Sequence, residues 1–398
     1  MRGWLRGRGG APPCARHDGD LQPASDRDQQ AKPTTVPAVP TEPRRFVCAW
    51  LLLTLALVAL MIVVGGATRL TGSGLSITEW KPITGALPPI GEAAWADEFA
   101  KYRASPQYKL LNEGMSLGEF QFIYWWEWGH RQLGRLIGLV FALGLLIAAV
   151  TRRVSLREGL ALFGMGLLLG TQGAIGWIMV ASGLQPGMTA VAPVKLTLHL
   201  GFALLFFATL LLFLVHAGQF GRDGRRLAPG LRAGANGVLA MTFLQILLGG
   251  LVAGSRAGFT FNTWPLMDGG LAPSREALFA VTPWWENFID NVALVQLNHR
   301  LVAYALLAAA IAYAVAVASA ALDKRATRRA AWLAALMVAQ AGLGVAALVM
   351  VVPLHLGLAH QFGAVVVFAL GVVNAALVHR AAGASLRAPA GAVPQPAE

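Results

Sequence analysis

The chain has 398 residues, 56% of them apolar and only 13% charged, with a formal net charge of +12. Soluble domains carry about 25% charged residues, so this composition excludes a soluble globular protein. The basic residues fall in short segments between apolar runs, with no aromatic interleaving, which excludes a nucleic-acid surface.

Residues 1–44 are rich in Pro, Arg, Gly, Asp and Gln without apolar periodicity, and read as a disordered tail. Asp18, Asp20, Asp26 and Asp28 count against an organellar transit peptide, which is poor in acidic residues. The two cysteines, Cys14 and Cys48, offer no CxxC and no disulfide framework.

A helix needs about 20 mostly apolar residues to cross a bilayer. Such stretches occur near 46–67, 131–150, 159–180, 196–216, 233–254, 299–321, 330–352 and 355–379. The last two share an uncharged run between Arg329 and Arg380, too long for one crossing, and Pro353 marks the turn. The fold class is therefore all-α and integral to a membrane, with eight transmembrane helices. Arg44 and Arg45, Arg152 and Arg153, Arg225 and Arg226, and Arg328 and Arg329 lie at one set of helix ends. By the positive-inside rule that face is cytoplasmic or matrix, both termini are inside, and the loops 68–130 and 255–298 face outward.

The chain repeats itself. "GGATRLTGSGLSITEWKPITGALPP" from Gly65 aligns with "GGLVAGSRAGFTFNTWPLMDGGLAP" from Gly249, pairing Gly66 with Gly250, Trp80 with Trp264 and Pro89 with Pro273. Further on, His130-Arg131 pairs with His299-Arg300, Gln172 with Gln340, and His199 with His360. Four crossings per half is an even number, so both halves share one orientation. The expected arrangement is two tandem four-helix bundles, 45–217 and 218–380, related by a pseudo-two-fold axis along the membrane normal. Residues 381–398 read as a second disordered tail.

The repeat also sorts the eight histidines. His130, His199, His299 and His360 each stand near the outer end of an outside-to-inside helix, two in each bundle. Opposed imidazoles on two helices are a common way to hold haem iron, and polar groups inside a membrane tend to be functional. A single such histidine would more readily be read as satisfying a helix end. Two matched pairs favour ligation, and carboxylates or thiolates do not gather there to suggest a bare metal. His17 is in the tail, and His216 and His379 sit at helix C-termini, where a cation suits the dipole. His355 falls in the outer turn, with an exchange of roles with His360 left open.

Glu127 corresponds to Gln296, each three residues before a candidate ligand and on the same helical face. A carboxylate can take a proton or steady positive charge, whereas an amide only exchanges hydrogen bonds. The first half is thus expected to be reactive and the second to hold a resident cofactor. The competing reading has Glu127 as an interfacial residue paired with Arg131 at i+4. Arg131 and Arg300 are candidate partners for haem propionates, or else interfacial anchors. The loop from Thr68 lacks the strand context of a dinucleotide fingerprint and reads as a lid.

With these residues the sequence resembles the haem A synthase family, in its mitochondrial and proteobacterial branch. The resemblance spans about residues 46–380 and rests on the Gly65 loop, Glu-x-x-His-Arg at 127–131, "TWPLMDG" at 263–269 and the later histidines. It implies oxidation of the haem O C8 methyl group to a formyl group, giving haem A for cytochrome c oxidase. It further implies substrate haem in the first half near His130 and His199, haem B in the second held by His299 and His360, and Glu127 as an essential catalytic residue. The implied partners are the haem O synthase that supplies substrate and cytochrome c oxidase assembly factors, and the implied location is the bacterial inner membrane or its mitochondrial counterpart. Some members carry a cysteine pair in the first outer loop. None lies between residues 68 and 130 here, which leaves the electron donor or acceptor open, as it does a homo-oligomer. The rival class is a di-haem cytochrome carrying electrons from quinol, which would place histidines at two depths. A histidine-relay transporter would need acidic residues within the spans.

Overall fold

The computed structural model describes residues 41–220, 223, 227–321 and 323–384. Most of the two tails read from the sequence, residues 1–40 and 385–398, lies outside the described residues. Eleven α-helices occur among the described residues: α1 Thr41–Leu70, α2 Glu92–Arg103, α3 Pro106–Leu111, α4 Leu117–Val150, α5 Leu156–Gly183, α6 Pro193–His216, α7 Pro229–Gly254, α8 Arg275–Leu278, α9 Val292–Ala320, α10 Lys324–Val349 and α11 Leu354–Ala384. Eight of them are long and apolar enough to cross a membrane. The protein is a multi-pass membrane protein.

Hydropathy located the crossings but understated the helices. α1 begins at Thr41, inside the segment read as tail, and α4 begins at Leu117 rather than near 131. The cause is local capping. Ser116 Oγ accepts from Glu119 N while Glu119 Oε2 accepts from Ser116 N at 2.8 Å, a reciprocal box that starts a helix regardless of hydropathy. Asn291 does the same for α9, taking the amides of Ala293 and Leu294 at 2.9 and 3.2 Å. Glu127, His130, Gln296 and His299 therefore lie within helices, not at their entrances. Proline at the first positions of α6 and α7 suits a turn whose N–H groups have no helical acceptor.

Helices α1 and α4, α5 and α6, α7 and α9, and α10 and α11 pack as hairpins, and the halves meet where α1 and α6 contact α7 and α11. The sequence boundary near 217 is not a packing boundary. A single apolar cluster joins Val58, Phe141 and Leu204 of the first half to Val365, Phe368 and Val372 of α11. The most apolar window of α11 is 61% buried, against none of that in α5, so α11 is central and α5 peripheral. Leu160, Phe163 and Leu167 of α5 are exposed, a surface suited to acyl chains, which are as apolar as leucine.

Close packing is set by individual residues. Trp50 Nε1 donates to the Val140 carbonyl at 3.0 Å, and its ring fills the space where a Cβ on Gly144 would stand. Away from the long loops, Arg329 of α10 forms a two-pronged pair with Asp223 at 2.6 and 2.7 Å, tying the α6–α7 connection to the second half.

Candidate functional site

Each long hairpin seats a histidine of its second helix against a glycine of its first. A Cβ built on Gly65 would stand 3.1 Å from His130 Cε1, on Gly176 2.8 Å from His199, on Gly249 3.3 Å from His299, and on Gly344 2.8 Å from His360. At Gly176 and Gly344 a Cβ could not stand without moving the imidazole, and at Gly65 and Gly249 it would fit only tightly. In three hairpins a glutamine four residues before the glycine adds a clamp. Gln172, Gln245 and Gln340 donate Nε2–H to the carbonyls of His199, His299 and His360 at 2.9, 3.0 and 2.7 Å. The same nitrogens lie 3.3, 3.0 and 3.1 Å from a ring nitrogen of those histidines. Sequence reasoning paired Gln172 with Gln340 but gave neither a role, and it missed Gln245. The Q-x-x-x-G spacing at 172–176, 245–249 and 340–344 was the available signal.

His130 lies within electrostatic range of His199, and His299 of His360. The four histidines thus come as two neighbouring pairs, one per half, each residue half-buried. His355 is exposed in the first turn of α11 and takes no part in this arrangement. His216 and His379 are engaged elsewhere, with the Leu212 carbonyl and Asn236. Among the described residues, no group of three or more His, Cys, Asp or Glu side chains is placed to hold a bare metal ion.

Glu127 and Gln296 are both buried, and both fasten a loop. Glu127 Oε2 accepts from Ser76 Oγ at 2.8 Å and Ile77 N at 2.9 Å; its Oε1 accepts from Arg131 Nη2 at 2.6 Å and Nε at 3.2 Å. Arg131 also donates to the carbonyls of Ile77 and Glu79 at 2.9 and 3.1 Å. In the second half Gln296 Nε2 donates to the Ala257 and Thr260 carbonyls, both at 2.7 Å, and Oε1 accepts from Arg300 Nη2 at 2.9 Å. Arg300 also donates to the Phe261 and Leu266 carbonyls at 2.8 and 3.3 Å. The difference between acid and amide therefore matches loop polarity. The first loop offers an N–H and an O–H, which need an acceptor; the second offers two carbonyls, which need a donor. The i+4 pairing of Glu127 with Arg131 is present, but with the carboxylate only 3% exposed it is not an interfacial pair in solvent.

Beyond the latch lies a cavity of about 390 Å³ between the first loop and α4, lined in part by Ile77, Glu79, Trp128, Arg131 and Arg135. Around it Lys81 contacts Glu79 and Glu98 at 2.7 and 3.1 Å, and Lys101 contacts Asp97 and Glu79 at 2.7 and 2.9 Å. Hydrogen bonds from Lys81 and Lys101 hold the Glu79 carboxyl below the usual carboxylate range, and the two ammonium groups are pushed above theirs mainly by their carboxylate partners.

A family model described as cytochrome oxidase assembly protein matches residues 48–372, which include both histidine pairs and both latches. A protein named heme A synthase from Methylobacterium sp. (strain 4-46) is 60% identical over 336 residues, 84% of this chain and 92% of its own length. This chain belongs to the haem A synthase family. Another member, named heme A synthase, from Methylobacterium nodulans is 58% identical over 320 residues, 80% of this chain and 88% of its own. A third, from Bradyrhizobium sp. (strain ORS 278), is 48% identical over 346 residues, 86% of this chain and 93% of its own. The haem A synthase resemblance read from the Gly65 loop and Glu-x-x-His is thus family membership across the helical region.

Proposed function

We propose that this chain is a membrane oxidoreductase that converts haem O to haem A for cytochrome c oxidase. The observation that carries the reading is the two couples of neighbouring imidazoles, each ring seated on a glycine, in a chain of this family. The residues fit a haem at each couple. Two imidazoles on separate helices would supply nitrogen donors to haem iron, the glycine seats let the rings lie close to the neighbouring helix, and Nδ1 of both His130 and His199 is buried without a partner. His299 and His360 would hold haem B, with His130 and His199 holding the substrate. Haem B, when bound, supplies one-electron transfer.

Conversion of a methyl to a formyl group takes up one water and releases four protons and four electrons. Protein groups must therefore tolerate positive charge and pass protons. Glu127, one helical turn from His130, accepts from Arg131, Ser76 and Ile77, so its service would be to offset positive charge developing near that turn. Arg131 and Arg300 serve as loop latches, and among the described residues each keeps an Nη1 N–H free for a propionate, Arg300 also its unpartnered Nε. The repeat-related contacts support a two-fold axis along the membrane normal between the bundles. Basic loop residues support an inner-membrane orientation with both termini cytoplasmic. Haem O synthase as supplier and oxidase assembly factors as recipients follow from the substrate and product.

Pigment extraction from the purified protein tests this reading. Haem B together with haem O or haem A is the expected result. Haem B alone, with no haem A formed when haem O is supplied, would instead support the electron-carrier class.

A further inference from the structure

The clamp of a glutamine on a histidine carbonyl has a consequence for which porphyrin leaves. The position four residues before the seat glycine is Gln172, Gln245 and Gln340 in three hairpins, and Met61 before Gly65 in the first. The methionine occupies the equivalent slot. Its Cε lies 3.4 Å from where a Cβ on Gly134 would stand, one turn beyond His130 on α4. A thioether has no hydrogen to donate, so the His130 carbonyl and ring receive no amide from this slot. The first couple therefore has one clamped imidazole, His199, and one unclamped, His130. The second couple has both clamped.

We infer that Met61 makes His130 the labile ligand, so that the first site exchanges its porphyrin while the second retains its own. The inference rests on the proposed ligation by the two couples. An amide bonded to the histidine's main-chain carbonyl and packed 3.0–3.3 Å from a ring nitrogen restricts the imidazole rotamer before iron binds. Without it that ordering must be supplied on each binding event. Groups that orient a ligating histidine typically change metal affinity by about 10- to 100-fold. The distribution of clamps suits the chemistry, because a product must depart after each turnover and a resident electron carrier must stay. Met61 is a positioning residue that acts through His130.

The test uses the purified, haem-loaded protein mixed with excess apomyoglobin as haem acceptor, with each pigment identified by its pyridine haemochrome. Wild-type protein should surrender haem O or haem A faster than haem B. Met61→Gln should slow that first release about tenfold and leave haem B release unchanged, whereas Met61→Leu should keep it fast. Gln245→Met should accelerate haem B release by a similar factor, and it carries the test if Met61→Gln does not fold. Wild-type release of the first pigment from folded Met61→Gln would overturn the inference, and so, where that variant does not fold, would wild-type haem B release from Gln245→Met. If His130→Ala holds haem O or haem A as firmly as wild type, the ligation reading itself fails. Loss of that pigment in His130→Ala alongside a silent Met61→Gln would sink only the role of Met61.

Discussion

Replacing Glu127 with Gln removes one acceptor from a site built around donors. The carboxylate receives Ser76 Oγ–H, Ile77 N–H and two guanidinium N–H groups. In the variant the amide oxygen can still serve Arg131, as Gln296 serves Arg300 at 2.9 Å. The amide NH₂ then faces the Ile77 N–H, donor against donor. The Ser76 hydroxyl can turn to the Ile123 carbonyl, already 3.3 Å away, but the backbone N–H has no such choice. A buried unsatisfied N–H costs about 1–3 kcal/mol, and loss of the ionic part of a nearly buried pair adds about 1 kcal/mol. The total of about 3 kcal/mol corresponds to roughly 100-fold more frequent opening of the loop. Hydrogen–deuterium exchange at the Ile77 amide should accelerate by that factor, together with reduced haem A output. Unchanged exchange at Ile77 would refute the latch. Lost haem A output with unchanged exchange would assign Glu127 a purely chemical role.

Other consequences follow from single contacts. Gly344→Ala places a methyl 2.8 Å from His360 Cε1, an overpacking of about 1–3 kcal/mol; under the proposed ligation the haem B content should fall while substrate haem persists. Asp223→Asn breaks the two-pronged pair with Arg329, whose partners are 1% and 15% exposed. Thermal unfolding should show a loss of about 2 kcal/mol, and no change in midpoint would dismiss the tie. The Glu79 carboxyl is held below its ordinary range by Lys81 and Lys101, so its contribution is present at neutral pH and lost as pH falls through the lowered value. Exchange of the loop around residues 79–81 should therefore rise between about pH 5 and pH 3 and be sensitive to salt. The raised ammonium groups predict no such loosening on the alkaline side until pH passes their own elevated values.

The eight crossings were legible because each integrates hydropathy over a whole bilayer thickness, and Pro353 divided the last two because α10 ends at Val349 and α11 starts at Leu354. The extra turns at the start of α4 and α9 were less visible, although Ser116-x-x-Glu119 carried the capping signal. The four histidines that meet a glycine are the four the repeat aligned. The choice between His355 and His360 could not be read from the repeat, because it depends on which of them meets Gly344. The pairing of Glu127 with Arg131 is a four-residue spacing on one helix. Its bonds to Ser76 and Ile77 cross about 50 residues of chain, and no local pattern announces them.

The amino-acid order by itself determined a membrane protein of eight helices, a duplicated set of histidines and an acid in one half where the other has an amide. These depend on periodicity, on composition over short windows and on internal alignment, all properties of the chain before it folds. Tertiary structure alone decided that the acid and the amide both fasten loops, that α11 is the central helix shared by the two halves, and that amides hold three of the four histidines. Each of those depends on which backbone donors and acceptors a loop turns toward a distant helix. Hydrogen-bond polarity at such a meeting is fixed only once both partners are in place.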